Sequence, residues 1–316
     1  MIGIAGAGAF GTALAVALGR EGHDVRLWAR DAEHVARIAK ARQNEARLAG
    51  VELPKTVSVT AQIEDLATAE AILLTLPMQS LRGFLLANSS LEGKTLIACC
   101  KGIDLTSLKG PTAVIAEICP NSSFAVLTGP SFASDIAKAL PTALTLAGDT
   151  AEALQHLLST PTLRLYRTSD VIGAELGGAL KNVIAIAAGA VIGADLGDSA
   201  RAALMTRGYA EMVRLAISLG ARVETLAGLS GFGDLVLTCT STQSRNFRFG
   251  VALGSGTAFD PKVTVEGVDT AKAVSDIAKT RKIDMPITTM IAALVSGKIT
   301  LNDAISTLLS RPLKQE

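Results

Sequence analysis

The sequence predicts an α/β domain built on a parallel sheet over residues 1–170, followed by an all-α domain over residues 171–316. Three observations support this fold class. Short apolar strands alternate with helical stretches as far as residue 167, and strand signals then stop. A glycine-rich turn joins the first strand to the first helix. A nearly all-apolar stretch over residues 173–194 is too long for a strand and leads into the second domain.

The chain begins with a predicted strand at Ile2–Ala5, a turn that reads Gly-Ala-Gly-Ala-Phe-Gly, and a helix over residues 12–20. The turn is G-x-G-x-x-G in the strand-to-helix context that dinucleotide binding requires. Gly6 permits the tight turn, Gly8 lets the backbone approach a pyrophosphate, and Gly11 lets the helix pack on the strand. We therefore interpret the first domain as Rossmann-type; the alternative is a tight turn with a purely structural purpose.

The predicted second strand, residues 24–29, ends at Arg30 and Asp31. Asp31 lies at about the spacing at which an acidic residue binds the ribose hydroxyls of NAD, whereas Arg30 could hold the 2′-phosphate of NADP. The two neighbours indicate opposite cofactors, so we predict a site that accepts NADP or NAD. Alternatively, both are solvated turn residues.

After a charged helix at residues 32–48, further strands are predicted at residues 70–76, 95–100, 124–127, 142–147 and 163–167. In a parallel sheet the carboxyl ends of the strands share one edge, where ligands bind. That edge would bring together the glycine-rich turn, Arg30, Pro77, Lys101 and residues 129–133. A lysine at a strand end can also be merely exposed, which is the alternative for Lys101.

The apolar stretch over residues 173–194 carries Lys181 and Asn182 in its middle. A buried ammonium loses its hydration, so such a lysine is usually neutralised, matched to an anion or used in chemistry. Gly177 and Gly178 lie one turn earlier on the same face and would let a ligand or a backbone approach. The alternative is a core helix whose lysine reaches the surface. A membrane span is disfavoured, because Lys181 would lie near its middle.

Further helices are predicted at residues 199–219, 266–279, 287–295 and 301–309. The tripeptide Ser244-Arg245-Asn246 precedes another apparent helix at residues 247–254. It offers a hydroxyl, a guanidinium and an amide beside the free amides of a helix N-terminus, a combination suited to phosphate. The alternative is that Ser244 simply caps the helix and Arg245 is solvated.

Composition excludes several classes of protein. Lys plus Arg number 30 and Asp plus Glu 29, so a formal charge of +1 gives no general attraction to nucleic acid or an anionic membrane. The four cysteines form no C-x-x-C pair and have few histidines near them, which argues against zinc and disulfides and for a reducing cytoplasm. The start MIGIAG shows no export signal. We expect a cytoplasmic protein without nucleic-acid partners, metal or a membrane span.

A nicotinamide enzyme that oxidises an alcohol needs a group to accept the hydroxyl proton as hydride leaves. The histidines, His23, His34 and His156, lie in a turn, on a charged helix and among surface-like residues, so Lys181 is the candidate. Burial would lower its pKa, whereas a phosphate or Asp234 would raise it, and the sequence leaves the balance open. Asp234, in a glycine-flanked loop, could orient Lys181, bind a substrate hydroxyl or cap the following apolar run.

The chain contains, in order, GAGAFGTALA, CCKGID, LTGPSFA, GAELGGALKNVIAIAAG, AALMTRGYAEM, GLSGFGDLVLTCTSTQSRN and VEGV. With these motifs it resembles bacterial NAD(P)-dependent glycerol-3-phosphate dehydrogenase over essentially its whole length. The resemblance implies a Rossmann domain, a helical domain, and interconversion of dihydroxyacetone phosphate and sn-glycerol 3-phosphate. It also implies a homodimer that makes glycerol 3-phosphate for phospholipid biosynthesis.

The same resemblance assigns site residues. It implies that Lys181 is the general acid/base, and we place Asp234 beside it as a catalytic residue. It implies that the substrate is bound by Lys101, Gly129, Ser131, Asp234, Ser244, Arg245 and Asn246. It implies cofactor contacts at Ala9, Phe10, Arg30, Lys101, Ala133, Arg245 and Glu266, in addition to Gly6, Gly8 and Gly11 of the turn.

A few positions depart from the family pattern. Phe10 replaces a common Trp, Ser199 and Arg201 stand where GDNAKAAL is usual, and Thr264 replaces an apolar residue. None of these removes a catalytic group. One rival interpretation is a β-hydroxyacid dehydrogenase, which would have Asn four residues after the lysine, where this chain has Ala185. The other is a dinucleotide sensor, for which no regulatory module is evident.

Overall fold

The computed structural model describes residues 1–309, and its α/β domain contains one eight-stranded sheet. The strands are β1 (Ile2–Ala5), β2 (Val25–Trp28), β3 (Val57–Thr60), β4 (Ala71–Leu74), β5 (Thr95–Ala98), β6 (Ser123–Thr128), β7 (Thr142–Ala147) and β8 (Leu163–Thr168). Their order across the sheet is β3-β2-β1-β4-β5-β6-β7-β8. The order reverses between β1 and β4, and in doubly wound sheets ligands bind at this point.

The sheet is parallel at every neighbouring pair except β6 and β7, which are antiparallel, so the predicted parallel sheet fails at this pair. A parallel pair needs a crossover that returns the chain along the whole strand. The only helix between β6 and β7 is the five-residue Ala133–Ala137. A helix rises by about 1.5 Å per residue, whereas the six-residue strand β6 rises by about 3.3 Å per residue. This helix is therefore too short to carry the chain back along the strand. The chain therefore re-enters the sheet from the same edge.

Two local predictions also differ from the structure. The strand β3 has no predicted counterpart, because it is a short edge strand whose residues after Val57 are exposed or half-buried. Residues 32–48 form two helices, Ala32–Ala41 and Glu45–Leu48, instead of one. Arg42 adopts a left-handed φ of 54°, which ends the first helix. Asn44 is fully buried beneath the glycine-rich turn that follows β1.

Helices cover both faces of the sheet. They are α1 (Ala9–Arg20), α2 (Ala32–Ala41), α3 (Glu45–Leu48), α4 (Met78–Ala87), α5 (Pro111–Ile118), α6 (Ala133–Ala137) and α7 (Ala151–Leu158). One apolar core lies between the sheet and the side chains of α1 and α7. A second core lies on the opposite face, under α4 and α5. The predicted Rossmann-type architecture is thereby confirmed.

The second domain is helical. It contains α8 (Val171–Gly193), α9 (Gly197–Ser218), α10 (Val223–Ala227), α11 (Asp234–Cys239), α12 (Arg245–Ser255), α13 (Glu266–Arg281), α14 (Pro286–Val295) and α15 (Leu301–Leu309). Strands are absent from residues 169–309, as predicted. The carboxylate of Asp170 accepts a hydrogen bond from the amide of Gly173 and so caps α8 at its start. The division at residue 170 remains a prediction.

The central helix α8 lies inside this domain and packs against α9, α11, α12, α13 and α14. By length and composition it is long and apolar enough to cross a membrane, but 83% of its most apolar window is buried inside the protein. It is also the only such helix in the described residues. A helix that is apolar on all sides is expected to be buried in a protein core, so its composition is explained by the helices that surround it.

Helices α8 and α12 pack with their backbones almost touching. Gly189 and Gly193 on α8 face Gly250 and Gly254 on α12, each pair spaced by four residues. A Cβ atom on any of these glycines would overlap a backbone carbonyl oxygen of the facing helix. Since α12 begins at Arg245, this close approach places the predicted phosphate residues next to the middle of α8.

Candidate active site

The turn after β1 has the shape that a dinucleotide requires. Gly6 has a φ of +124°, a conformation that side chains rarely adopt, and a Cβ on Gly11 would overlap the carbonyl oxygen of Gly6. A Cβ on Gly8 would meet nothing within 4 Å, so open space lies above this glycine. No side chain caps α1, so its first amides face this space without an intramolecular side-chain acceptor. These features fit a pyrophosphate held at a helix N-terminus.

Two polar side chains that the sequence did not indicate support this turn. The hydroxyl of Thr75 donates to the carbonyl oxygen of Gly6 at 2.8 Å. The buried amide of Asn44 donates to the carbonyl oxygen of Ala7 at 3.0 Å and to the hydroxyl of Thr12 at 2.8 Å. Neither residue lies in a recognisable motif, because each acts on a backbone segment that is distant in sequence.

At the end of β2, Arg30 and Asp31 have different surroundings. One carboxylate oxygen of Asp31 accepts hydrogen bonds from the amides of Glu33 and His34, so this residue caps α2. Its other oxygen lies 3.9 Å from the guanidinium of Arg37. The side chain of Arg30 is exposed. The predicted ribose contact of Asp31 would therefore compete with the cap, whereas Arg30 is available to an incoming anion.

Three predicted residues from distant parts of the chain meet in one buried cluster. Lys181 on α8 donates to Asp234 at 2.7 Å, and Lys101, which follows β5, donates to the other carboxylate oxygen of Asp234 at 2.5 Å. Lys101 also donates to the carbonyl oxygen of Gly129 at 3.2 Å. Asp234 is 1% exposed and Lys181 is 7% exposed. Of the three predicted roles for Asp234, the geometry supports orientation of Lys181.

Local backbone geometry explains why Asp234 can reach both lysines. It begins α11 directly after a π-helical turn, Leu229–Gly233, and such turns are frequent at functional sites. A Cβ on Gly177 would meet the carbonyl oxygen of Ser230, 2.5 Å away. The missing side chain therefore lets the turn lie directly on α8, one turn before Lys181.

The hydroxyl of Thr238 completes the cluster. It accepts from the ammonium of Lys181 at 2.6 Å and lies 3.2 Å from Asp234, to which it can donate. Sequence reasoning missed this residue. The available signal was its spacing, because Thr238 follows Asp234 by four residues and so shares its face of α11.

Burial and charge set the protonation behaviour of the cluster. Burial lowers the pKa of Lys181 to about 8; the Asp234 carboxylate opposes this shift, and the Lys101 ammonium adds to it. For Asp234, burial alone would raise the pKa, but the two ammonium groups outweigh it and hold the pKa below its ordinary value. Two cations share one anion, so the fully ionised cluster has a net positive charge that favours an anionic substrate.

The predicted phosphate residues lie at the start of α12, beside this cluster. Ser244 caps the helix by accepting from the amide of Phe247 at 3.2 Å. The buried side chain of Asn246 donates to Asn182 at 2.9 Å and accepts from the amide of Gly267 at 2.9 Å. The side chain of Arg245 is exposed. Thus Ser244 and Asn246 hold the helix in place, and Arg245 is the charged group free to meet a phosphate.

The structure places the other predicted residues as follows. Ala9 and Phe10 are half-buried at the start of α1, next to the glycine-rich turn, and Ser131 and Ala133 are half-buried just after β6. Within residues 1–309, Ser131 makes no side-chain bond to the lysine cluster. Glu266 begins α13; burial raises its pKa to about 7, while nearby Arg245 acts in the opposite direction.

The four cysteines are buried and free. Over residues 1–309, no three His, Cys, Asp or Glu side chains are grouped so as to hold a metal ion.

The doubly wound sheet, the glycine-rich turn and the buried lysine–aspartate cluster define a dehydrogenase that uses a nicotinamide dinucleotide. The models of the NAD-dependent glycerol-3-phosphate dehydrogenase N-terminus and C-terminus match residues 1–154 and 170–306. The chain belongs to the NAD-dependent glycerol-3-phosphate dehydrogenase family. It is therefore an NAD(P)-dependent oxidoreductase for glycerol 3-phosphate and dihydroxyacetone phosphate, as the resemblance implied.

Individual relatives agree with this assignment. The chain is 64% identical to glycerol-3-phosphate dehydrogenase [NAD(P)+] of Cereibacter sphaeroides, and the match covers 100% of both chains. It is 58% identical to the Ruegeria protein of the same description, over 100% of this chain and 99% of the relative. The crystal structure of glycerol-3-phosphate dehydrogenase from Coxiella burnetii superimposes with a TM-score of 0.93, at 36% identity, and 98% of each chain is covered.

Proposed function

We propose that Lys181 is the general acid/base of the reaction. The observation that carries this proposal is its buried ammonium, bonded to Asp234 and Thr238, with a pKa lowered to about 8. A pKa near the working pH lets one group both donate and accept a proton efficiently. Among the described residues, no histidine lies in the cluster, which leaves Lys181 as the titratable group suited to this role.

The bound dinucleotide supplies or accepts the hydride. As the ketone of dihydroxyacetone phosphate is reduced, the Lys181 ammonium donates a proton to the oxygen that becomes the C2 hydroxyl. In the reverse direction the neutral amine accepts that proton. Asp234 and Thr238 hold the Nζ atom in one place throughout, which preserves the alignment that proton transfer requires. Lys101 keeps Asp234 ionised and lies where it can also bind a substrate oxygen.

We place the substrate phosphate at the N-terminus of α12. The positive end of this 11-residue helix and the exposed guanidinium of Arg245 both favour an anion. Ser244 and Asn246 contribute by fixing the helix, and any direct contact with phosphate would use their remaining hydrogen-bonding capacity. Ser131 and Gly129 would then border the substrate from the α/β domain.

The lowered pKa of Lys181 predicts opposite pH profiles for the two directions. Reduction requires the ammonium, so kcat/KM for dihydroxyacetone phosphate should fall as the pH rises through about 8. Oxidation requires the neutral amine, so kcat/KM for glycerol 3-phosphate should rise and level off above about 8. Nicotinamide absorbance measures both directions in the same buffers. Profiles with the same slope in both directions would contradict the proposed role.

Arg30 is proposed to bind the 2′-phosphate of NADP, because it is exposed and Asp31 is engaged in capping α2. Arg30→Ala should raise KM for NADPH at least about tenfold, since a hydrogen bond to a charged group contributes roughly 1.5–3 kcal/mol. KM for NADH should change by less than about twofold, because NADH lacks that phosphate. Arg37→Ala, which removes a neighbouring arginine paired with Asp31 and Glu33, is the matched control. An equal change for both cofactors would exclude this role.

We further propose that the protein makes glycerol 3-phosphate for phospholipid biosynthesis, in the cytoplasm and as a homodimer. These assignments rest on the family resemblance and on a composition without metal-site or disulfide patterns.

A further inference from the structure

Glu175 on α8 reaches across to the α/β domain. It lies six residues before Lys181, and its carboxylate accepts a hydrogen bond from the amide of Thr112 at 2.7 Å. Thr112 belongs to the first turn of α5, whose N-cap residue is Gly110 and which has no capping side chain of its own. A helix of the second domain thus supplies the N-terminal cap of a helix in the first.

Gly110 makes this contact possible. A Cβ atom on Gly110 would overlap the second carboxylate oxygen of Glu175. The backbone of Gly110 has a φ of −71° and a ψ of 167°, which residues with side chains adopt without strain. The absence of a side chain here is therefore required by the space that Glu175 occupies.

Glu175 as a whole is half-buried, and its carboxylate lies in the contact between α8 and α5. Burial raises the pKa of Glu175 to about 7, while its hydrogen bonds to Thr112 act in the opposite direction. A buried carboxyl group is costly unless its hydrogen bonds are made. Besides Lys181 and Asn182 of the site, Glu175 is the remaining polar side chain of α8, and it lies at the boundary between the two domains.

The segment that Glu175 holds leads directly to the active site. Residues 101–110 connect Lys101 to α5, and side chains of α4 hydrogen-bond to this segment. The amide of Gln79 donates to the carbonyl oxygen of Ile103 at 2.9 Å, and Arg82 donates to Asp104 at 3.0 Å. These hydrogen bonds attach the segment before α5 to α4, which packs on the sheet. Because Glu175 attaches α8 to the start of α5, the contact also helps to set the orientation of α8 relative to the sheet.

We propose that Glu175 is a positioning residue that sets the placement of Lys181 relative to the domain that binds the dinucleotide; this rests on the acid/base role proposed above for Lys181. The nicotinamide is carried by one domain and the proton donor by the other, so their separation depends on contacts across the boundary. A displacement of about 1 Å can lower turnover up to ~100-fold.

A double-mutant cycle tests this proposal. Glu175→Ala removes the cap, and Gly110→Ala displaces the carboxylate from it without altering Glu175. Each variant should lower kcat about tenfold and leave KM for NADPH within about twofold of wild type. The double variant should show no further loss of kcat, because both changes remove the same hydrogen bond. Glu175→Gln retains an acceptor for the Thr112 amide and should restore most of kcat.

Glu211 is the matched control, because its carboxylate also caps the start of a helix. It accepts from the amides of Ile287 at 2.6 Å and Thr288 at 3.1 Å, entirely within the second domain. Glu211→Ala should lower Tm at least as much as Glu175→Ala but leave kcat within about twofold of wild type. Amide hydrogen exchange over residues 112–114 should accelerate in Glu175→Ala and Gly110→Ala only.

A loss of Tm in Glu175→Ala without a loss of kcat would overturn the positioning role. So would an equal loss of kcat in Glu211→Ala, or full additivity of the Glu175 and Gly110 changes. Failure of the acid/base proposal is distinguishable, because it would be seen as turnover retained in a Lys181 variant. The exchange rates over residues 112–114 report the cap itself, whatever the role of Lys181.

Discussion

Replacing Lys181 by methionine is expected to lower kcat for reduction of dihydroxyacetone phosphate by about 10³-fold, within the range of a lost general acid. Methionine keeps the length of the side chain and removes only the charge and the proton. The dinucleotide is bound mainly by the other domain, so its dissociation constant should stay within about threefold of wild type. Stopped-flow nicotinamide absorbance and titration with NADPH measure the two quantities separately.

Lys101→Met is the control for this variant, because it breaks the other ion pair of the same carboxylate. If Lys181 transfers the proton, Lys101→Met retains a pH dependence, moved to higher pH because the Lys101 ammonium no longer lowers the pKa of Lys181, whereas Lys181→Met loses it. A small primary amine should also restore part of the turnover of Lys181→Ala, because it can occupy the vacated space and carry the proton. Equal losses in both methionine variants, with equal pH dependence, would show that breaking the ion pair causes the defect.

The second large effect is expected from Gly250→Ala. The added Cβ would overlap the carbonyl oxygen of Ile186 on α8, and a backbone atom cannot move aside as a side chain can. Helices α8 and α12 must then separate, so the free energy of unfolding should fall by about 3 kcal/mol or more. Because α12 carries Arg245, KM for the phosphorylated substrate should rise in whatever fraction remains folded.

Gly83→Ala provides the contrast. Gly83 is exposed within α4, and a Cβ there would meet nothing within 4 Å. Alanine should therefore stabilise the protein by roughly 0.5–1 kcal/mol through its helix preference. Urea unfolding of both variants compares the two cases directly. If Gly250→Ala is as stable as wild type, the helices are not packed as closely as the structure shows.

Features that depend on neighbouring residues could be predicted from the sequence. The glycine-rich turn between β1 and α1 is one, because each glycine is needed for a local backbone shape. The apolar helix with Lys181 is another, because its length and composition exclude a strand. The cap that Ser244 forms on α12, which was the alternative to phosphate binding, was also predictable, because an N-cap bonds to an amide only three residues away.

Features that depend on distant residues were missed or left open. The antiparallel entry of β7 depends on how far a five-residue helix can carry the chain, which no residue pattern near β7 indicates. Asn44 lies in what the sequence presented as one continuous helix, and its amide bonds to Ala7, 37 residues earlier. The resemblance named Lys101, Lys181 and Asp234 as site residues, but not Thr238. It placed Asp234 in the substrate site, whereas the structure shows that its carboxylate is bonded to both lysines.

By itself the sequence determined most of the strands and helices, the dinucleotide turn and the identity of the chemical groups, since these follow from local conformation and side-chain type. Tertiary structure alone decided which of these groups form ion pairs and hydrogen bonds with one another. Lys101 and Asp234 are 133 residues apart, yet they lie 2.5 Å from each other, with Lys181 on the opposite oxygen. The pKa of Lys181 depends on that arrangement, because burial and nearby charges act through space and not along the chain.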